Sequence, residues 1–211
     1  MHTPHHTPDD GAARRPPPST RHLARQASAN SAEFAHLYER VAPAVYAWAR
    51  LRIRPEQRRR LDPEDVVQEV WCRAVTRFDS FDAEQTPFRA WIFRVAKYVL
   101  LEAFRSLRKT SPLGLPQDGD GVPSPDTFPD DATSLTQRVA RNEELRAFLA
   151  YVETLDDHER DLVIHCGLEG LGYDEVATRL GLSRDAAKKR WQRLRARLVE
   201  HGIPRDVIES V

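Results

Sequence analysis

Apolar residues recur along this chain at the three- and four-residue spacings of helices with one buried side, while β-branched runs stay short. The pattern is clearest in residues 173–198, YDEVATRLGLSRDAAKKRWQRLRARL. Val176, Ala177 and Leu180 form one short apolar face, Gly181 and Leu182 interrupt it, and Ser183 stands ready to cap a second helix. In that second helix Ala187, Trp191, Leu194 and Leu198 fall on one stripe, and Arg184, Lys188, Lys189, Arg190, Arg193, Arg195 and Arg197 surround it with Gln192 among them. Two helices across a tight turn, apolar behind and cationic in front, predict a helix-turn-helix that offers its second helix to a DNA major groove. A merely solvated arginine-rich helix would share the charge. It would have no need of the turn or of the opposed faces.

Similar stripes precede it. Phe34, Leu37, Tyr38, Val41, Val45, Trp48 and Ala49 predict a helix starting near Ser31, with Pro43 predicting a kink or a break into two short helices. The basic stretch RIRPEQRRRL reads either as a loop over the phosphate backbone or, slightly favoured, as a solvated connection. Asp62 and Pro63 then make a cap and first-turn pair for a helix that buries Val66, Val67, Val70, Trp71, Ala74, Val75 and Phe78. After the loop FDSFDAEQT, Thr86 and Pro87 open a long helix to about Arg108, with Phe88, Trp91, Ile92, Val95, Ala96, Val99, Leu100, Ala103, Phe104 and Leu107 on its apolar side. Leu135, Val139, Leu145, Phe148, Leu149 and Val152 restart the pattern, which runs through Leu155, Leu162 and Val163 into the helix-turn-helix.

The fold class that follows is all-α: two small helical domains joined by a flexible linker, the C-terminal one containing the helix-turn-helix. The expected boundaries are a disordered leader over 1–30, a first domain over 31–109, a linker over 110–135, a second domain over 136–200 and a tail over 201–211. A length of 211 residues accommodates two such domains. The leader is polar and proline-rich, and the linker repeats Pro, Gly, Asp and Ser without an amphipathic period.

Net charge is zero, with 32 basic and 32 acidic residues, so nucleic-acid binding gains nothing from the total. Its distribution is informative. The linker carries Asp118, Asp120, Asp126, Asp130 and Asp131 without a basic residue from 111 to 137, an acidity expected to repel DNA and favour an extended connection, whereas basic residues crowd into 179–200. Cys72 and Cys166 both sit in or beside apolar helical patterns and are expected to be buried thiols, not a disulfide framework. The histidines His2, His5 and His6 lie in the leader and read as incidental, and Arg14, Arg15, Arg21 and Arg25 there add at most a nonspecific contact to DNA. The carboxylates Glu64, Asp65 and Glu69 lack the partners that acid chemistry or a metal would need. No catalytic residue, metal or cofactor is expected, and with no long apolar segment and no secretory core the chain is expected in the cytoplasm, without membrane insertion.

Two blocks in series resemble the sigma-70 family of RNA polymerase sigma factors, in the short extracytoplasmic-function (ECF) form that keeps domains two and four. The first holds FAHLYERVAP, LDPEDVVQEVWCRAVTRF and FRAWIFRVAKYVLLEAFR; the second holds LDDHERDLVIHCGLEGLGYDEVATRLGLSRDAAKKRWQRLRARL. The resemblance implies a protein that binds core RNA polymerase and directs promoter recognition, DNA melting and transcription initiation, not an enzyme in its own right. It implies core-polymerase docking through Asp65, Gln68, Glu69 and Arg73, and contact with the melted minus-ten element through Arg89, Trp91, Arg94, Lys97, Tyr98 and Arg105. It also implies minus-thirty-five duplex contact through Arg184, Lys188, Arg190, Gln192 and Arg193. The implied partners are core polymerase and promoter DNA, duplex and locally melted, with an anti-sigma factor as a further candidate that no residue here identifies. The alternative is a DNA-binding regulator or degenerate sigma-like protein that does not support initiation.

The chain departs from the family pattern at three places. Tyr98, Glu102 and Arg105 stand where asparagine, aspartate and arginine are common, Ala186 and Ala187 replace a threonine-valine pair, and Lys189 replaces a small residue. These positions leave the preferred promoter sequence open.

Overall fold

The computed structural model describes residues 32–109, 139 and 141–202, and every regular element among them is helical. Helix α1 is Ala32–Arg52, α2 is Pro63–Arg77 followed by a short 3-10 turn at Phe78–Ser80, and α3 is Phe88–Lys109. In the C-terminal half, α4 is Glu143–Glu153, α5 is Asp157–Leu162 running into a π-helical segment at Val163–Leu168, α6 is Tyr173–Leu180 and α7 is Arg184–Glu200. The leader, the linker and the tail from residue 203 lie outside the described residues, and with them Ser31, Leu135 and the leader's histidines and arginines.

Of the expected kink or break at Pro43, the break does not occur: α1 runs through it. Proline removes one backbone donor from the helix, but Leu37, Val41, Val45 and Trp48 on either side of it are all buried along one stripe. The shared burial keeps both halves in one helix. Helix α2 begins as its sequence requires: Asp62 is extended, its carboxylate accepts from the Glu64 N–H at 2.8 Å, and Pro63 fills the first turn. Trp71 then sits among Phe34, Tyr38 and Phe88, with ring centroids at 6.3, 4.4 and 6.4 Å, so one side chain ties all three helices of this half together. Phe93, absent from the expected α3 stripe, is also buried, with its ring 6.0 Å from Trp48. Phe93 precedes Ala96 by three residues and Leu100 by seven, so it widens the buried side of α3, and Trp48 of α1 packs against it there.

The C-terminal half is set by caps. Asn142 accepts from the Leu145 N–H, Asp156 from the Glu159 N–H and Ser183 from the Ala186 N–H, which starts α4, α5 and α7. Gly181 closes α6 at φ 64°, where a side chain would be strained, and Leu182 N–H returns to the Ala177 carbonyl at 2.9 Å. The turn fixes α7 against α6. Ala187, Trp191, Leu194 and Leu198 are all buried, as their spacing predicts.

The acidic linker, expected to favour an extended connection, lies outside the described residues, while the two described halves are in contact. Helix α1 packs on α4 and on the 163–168 segment. Buried apolar residues of both halves join in one core there, and the contact also holds a buried carboxylate, Glu169, whose donors come largely from the first half.

Candidate nucleic-acid interface

Helix α7 is built outward from its buried stripe. Arg184, Lys188, Lys189, Arg190, Gln192 and Arg193 are all exposed around it, and Arg184 reaches back to Asp174 of α6 at 3.3 Å. Both members of that pair are highly exposed, so it holds little and releases easily to a phosphate. Seven cations lie along this one helix, with no acidic residue between Ala186 and Val199.

The other basic helix, α3, divides its cations. Arg94, Tyr98 and Arg105 are exposed. Tyr98 lies beneath the guanidinium groups of Arg73 and Arg77, 5.5 and 6.0 Å from its ring centroid, which presents an aromatic face beside positive charge. Trp91 is half-buried among Phe78, Phe81 and Phe88, with centroids at 6.1, 5.0 and 5.6 Å, consistent with its place on the apolar stripe. Arg89 and Lys97 point elsewhere. Arg89 donates to the carbonyls of Leu168 and Gly167 at 2.8 and 3.0 Å, and burial pushes its guanidinium down to about 10 while leaving it charged at neutral pH. Lys97 pairs with Glu169 at 2.8 Å.

Glu169 is the centre of this contact. Its carboxylate, fully buried, accepts from the Trp48 indole at 2.8 Å and from Arg52 at 3.1 Å on one oxygen, and meets Lys97 at 2.8 Å and His165 at 3.2 Å on the other. Because a carboxylate only accepts, the His165 Nδ1 carries the proton in that contact. Burial alone would raise the Glu169 carboxyl; the bonds from His165, Lys97 and Trp48 and the charge of Lys97 outweigh it and hold it far below the ordinary carboxylate range.

On α2, Asp65 is exposed, Gln68 and Glu69 are half-buried, and Arg73 bridges Glu69 and Glu102 at 2.5 Å each. Burial works against the Arg73 charge, but both carboxylates raise its pKa. Glu102 is lowered in turn: its desolvation is outweighed by bonds from Arg73 and Tyr98. Among the described residues no group of three His, Cys, Asp or Glu side chains is placed to hold a metal ion.

Two family models match the chain: Sigma-70 region 2 over residues 37–110 and Sigma-70 region 4 over residues 145–198. The chain is 33% identical over 181 residues to the RNA polymerase sigma factor CnrH of Cupriavidus metallidurans, covering 83% of this chain and 89% of that one. This chain belongs to the sigma-70 family, in its ECF type. It is also 28% identical to the ECF RNA polymerase sigma factor SigL of Mycobacterium tuberculosis, over 87% of this chain and 100% of SigL. A solved structure of CnrH in complex with the cytosolic domain of CnrY is similar at 28% identity, covering 86% of this chain and 95% of that one, with a TM-score of 0.39.

In this sigma factor the matched regions coincide with the two helical halves. Region 2 takes in most of α1 and all of α2 and α3; region 4 takes in α4 to α7 except the first residues of α4 and the last of α7. Sigma factors act in transcription by binding core polymerase and promoter DNA. No helix among the described residues is long and apolar enough to cross a membrane. All five minus-thirty-five candidates are exposed on α7, around its buried stripe. The six minus-ten candidates share α3 but split into an exposed set, Arg94, Tyr98 and Arg105, and a set turned inward, Arg89, Lys97 and the partly covered Trp91.

Sequence reasoning missed Trp48, Arg52 and Glu169 as a unit. Each was visible only as a core tryptophan, a loop-side arginine or one acid among eight from 151 to 178. One signal was present: Glu169 is the single carboxylate in the apolar run LVIHCGLEGL. A charge among buried neighbours implies donors, but not where in the chain they lie.

Proposed function

We propose that this chain is a promoter-specificity subunit that joins core RNA polymerase through α2 and grips a promoter at two places. Helix α7 reads the minus-thirty-five duplex through Arg184, Lys188 and Arg190, with Gln192 and Arg193 beside them. Helix α3 holds the melted minus-ten strand through Arg94, Tyr98 and Arg105, together with Arg89, Lys97 and the edge of Trp91. Asp65, Gln68, Glu69 and Arg73 form the polymerase-facing side of α2. The domain boundaries follow those roles: 31–109 for polymerase and the minus-ten element, 110–135 as connection and 136–200 for the minus-thirty-five element.

The single observation that carries this is α7, where a buried Ala187, Trp191, Leu194 and Leu198 stripe leaves Arg184, Lys188, Lys189, Arg190 and Arg193 exposed. Arginine and lysine pair with guanine edges or with phosphates and glutamine with adenine. On α3, an exposed tyrosine flanked by guanidinium groups offers a stacking surface for an unpaired base and charge for its backbone. A second partner has a specific point in its favour: the relative CnrH is seen bound to the cytosolic domain of CnrY, and a comparable regulatory protein would act on this chain as an anti-sigma factor.

The deciding experiment adds the purified chain and core polymerase to a broad promoter library and maps strand opening. Promoter-dependent open complexes are expected. Failure to open any promoter, with DNA binding retained, would favour a regulator that does not support initiation.

A further inference from the structure

We propose that the free chain holds itself shut through Glu169, which locks the C-terminal domain onto α1 and α3 and so withholds Arg89 and Lys97 from promoter DNA. The masking half of this rests on the proposed minus-ten role of α3. The lock itself rests on geometry alone.

A buried carboxylate is costly unless its oxygens are filled by donors. Within its own domain Glu169 finds one, His165, one turn earlier on the same segment. The other three, Trp48 and Arg52 of α1 and Lys97 of α3, come from the first domain. Glu169 is therefore fully satisfied only while the domains touch. The segment before it is π-helical, a local form that recurs at functional sites, and its C-terminal end leaves carbonyls without helical partners. Arg89 takes two of them, Gly167 and Leu168. The 167–169 turn thus shows the first domain a carboxylate and two carbonyl oxygens in a row. Those oxygens meet an arginine and a lysine on α3 and an arginine on α1, the same groups that would meet the oxygens of a DNA phosphate. Turn and strand compete for the same cations.

The closure is selective. Arg94, Tyr98 and Arg105 on α3 and the whole cationic face of α7 stay exposed while Glu169 is seated. A shut chain should keep its grip on minus-thirty-five duplex and lose it on a minus-ten single strand. The rim pair Arg58 and Glu153, at 3.3 Å and partly exposed, also spans the contact but is too wet to govern it.

The test uses the full-length chain with Glu169→Gln, which offers an NH2 group to Lys97, donor against donor. Arg52→Gln breaks the lock from the other domain and guards against a local folding defect in the first variant. Spin labels carried on unnatural amino acids at the exposed Thr76 and Thr178 report the distance between domains, and titrations with a minus-ten single strand and a minus-thirty-five duplex report binding. A single narrow distance is expected for the unmodified chain, and broad, longer distances for both variants. If the shut form outnumbers the open one tenfold, opening tightens single-strand binding by about tenfold and leaves duplex binding unchanged. Unchanged distances in both variants overturn the lock. Longer distances with no gain in single-strand affinity, in variants that still open promoters with core polymerase, overturn the masking while the promoter function stands. If no form opens any promoter, the promoter function fails, and the distances still decide the lock.

Discussion

Trp48 and Glu169 are 121 residues apart in the chain and joined by an indole-to-carboxylate hydrogen bond of 2.8 Å, both side chains being buried. The bond makes a tryptophan of the first domain a partner of the second. It also gives the domain contact a dependence on pH, since an indole donor, Arg52, Lys97 and His165 all favour the ionised acid.

The Glu169 carboxyl is held below its ordinary value of 4.5, so the stabilisation it supplies is complete above about that pH and is lost as pH falls through the folded value. The difference in unfolding free energy between the unmodified chain and Glu169→Gln should be constant at neutral pH and shrink on acidification below about 4.5. Chemical denaturation across a pH series measures it. A difference that grew on acidification would show that Glu169 is not a charged partner in the native contact.

Trp191 is buried and Lys188 is exposed on α7, so the two should separate folding from recognition. Trp191→Ala empties a buried site and should cost roughly 3 to 5 kcal/mol, read as a lowered melting temperature. Lys188→Ala should change stability by no more than about 0.5 kcal/mol while weakening duplex binding. Comparable unfolding in both variants would contradict the two-sided helix.

Gly181 adopts φ 64° with nothing within 4 Å of an added Cβ, so a substitution there meets backbone strain and no clash. Gly181→Ala should lower stability by roughly 1 to 2 kcal/mol through the left-handed conformation alone. Thermal unfolding tests this, and Gly181→Asn should recover part of the loss because asparagine tolerates that region better.

Arg73 holds Glu69 and Glu102 together across α2 and α3 and lies over Tyr98. Arg73→Met should cost about 1 kcal/mol or less in stability, since the pairs are partly exposed, but should measurably weaken affinity for core polymerase. An unchanged affinity in a direct binding assay would remove Arg73 from the polymerase-facing surface.

The sequence by itself determined the helices, the helix-turn-helix and the cationic face of α7, because each rests on local rules: period, cap and turn. Asp62, Ser183 and Gly181 act on backbone groups within a few residues, and the Ala187 to Leu198 stripe needs only a 3.6-residue repeat. The family resemblance added roles to those faces. Tertiary structure alone decided three matters. Pro43 looked like a break because proline costs a hydrogen bond, and burial on both sides of it prevailed. Phe93 fell outside the expected α3 residues, and its packing against Trp48 of α1 shows that it is buried. Arg89 and Lys97 looked identical to the other α3 cations until Glu169, Gly167 and Leu168 supplied oxygens from more than 70 positions away. A charged side chain takes its partner from whatever the fold brings near it, and sequence spacing does not carry that distance.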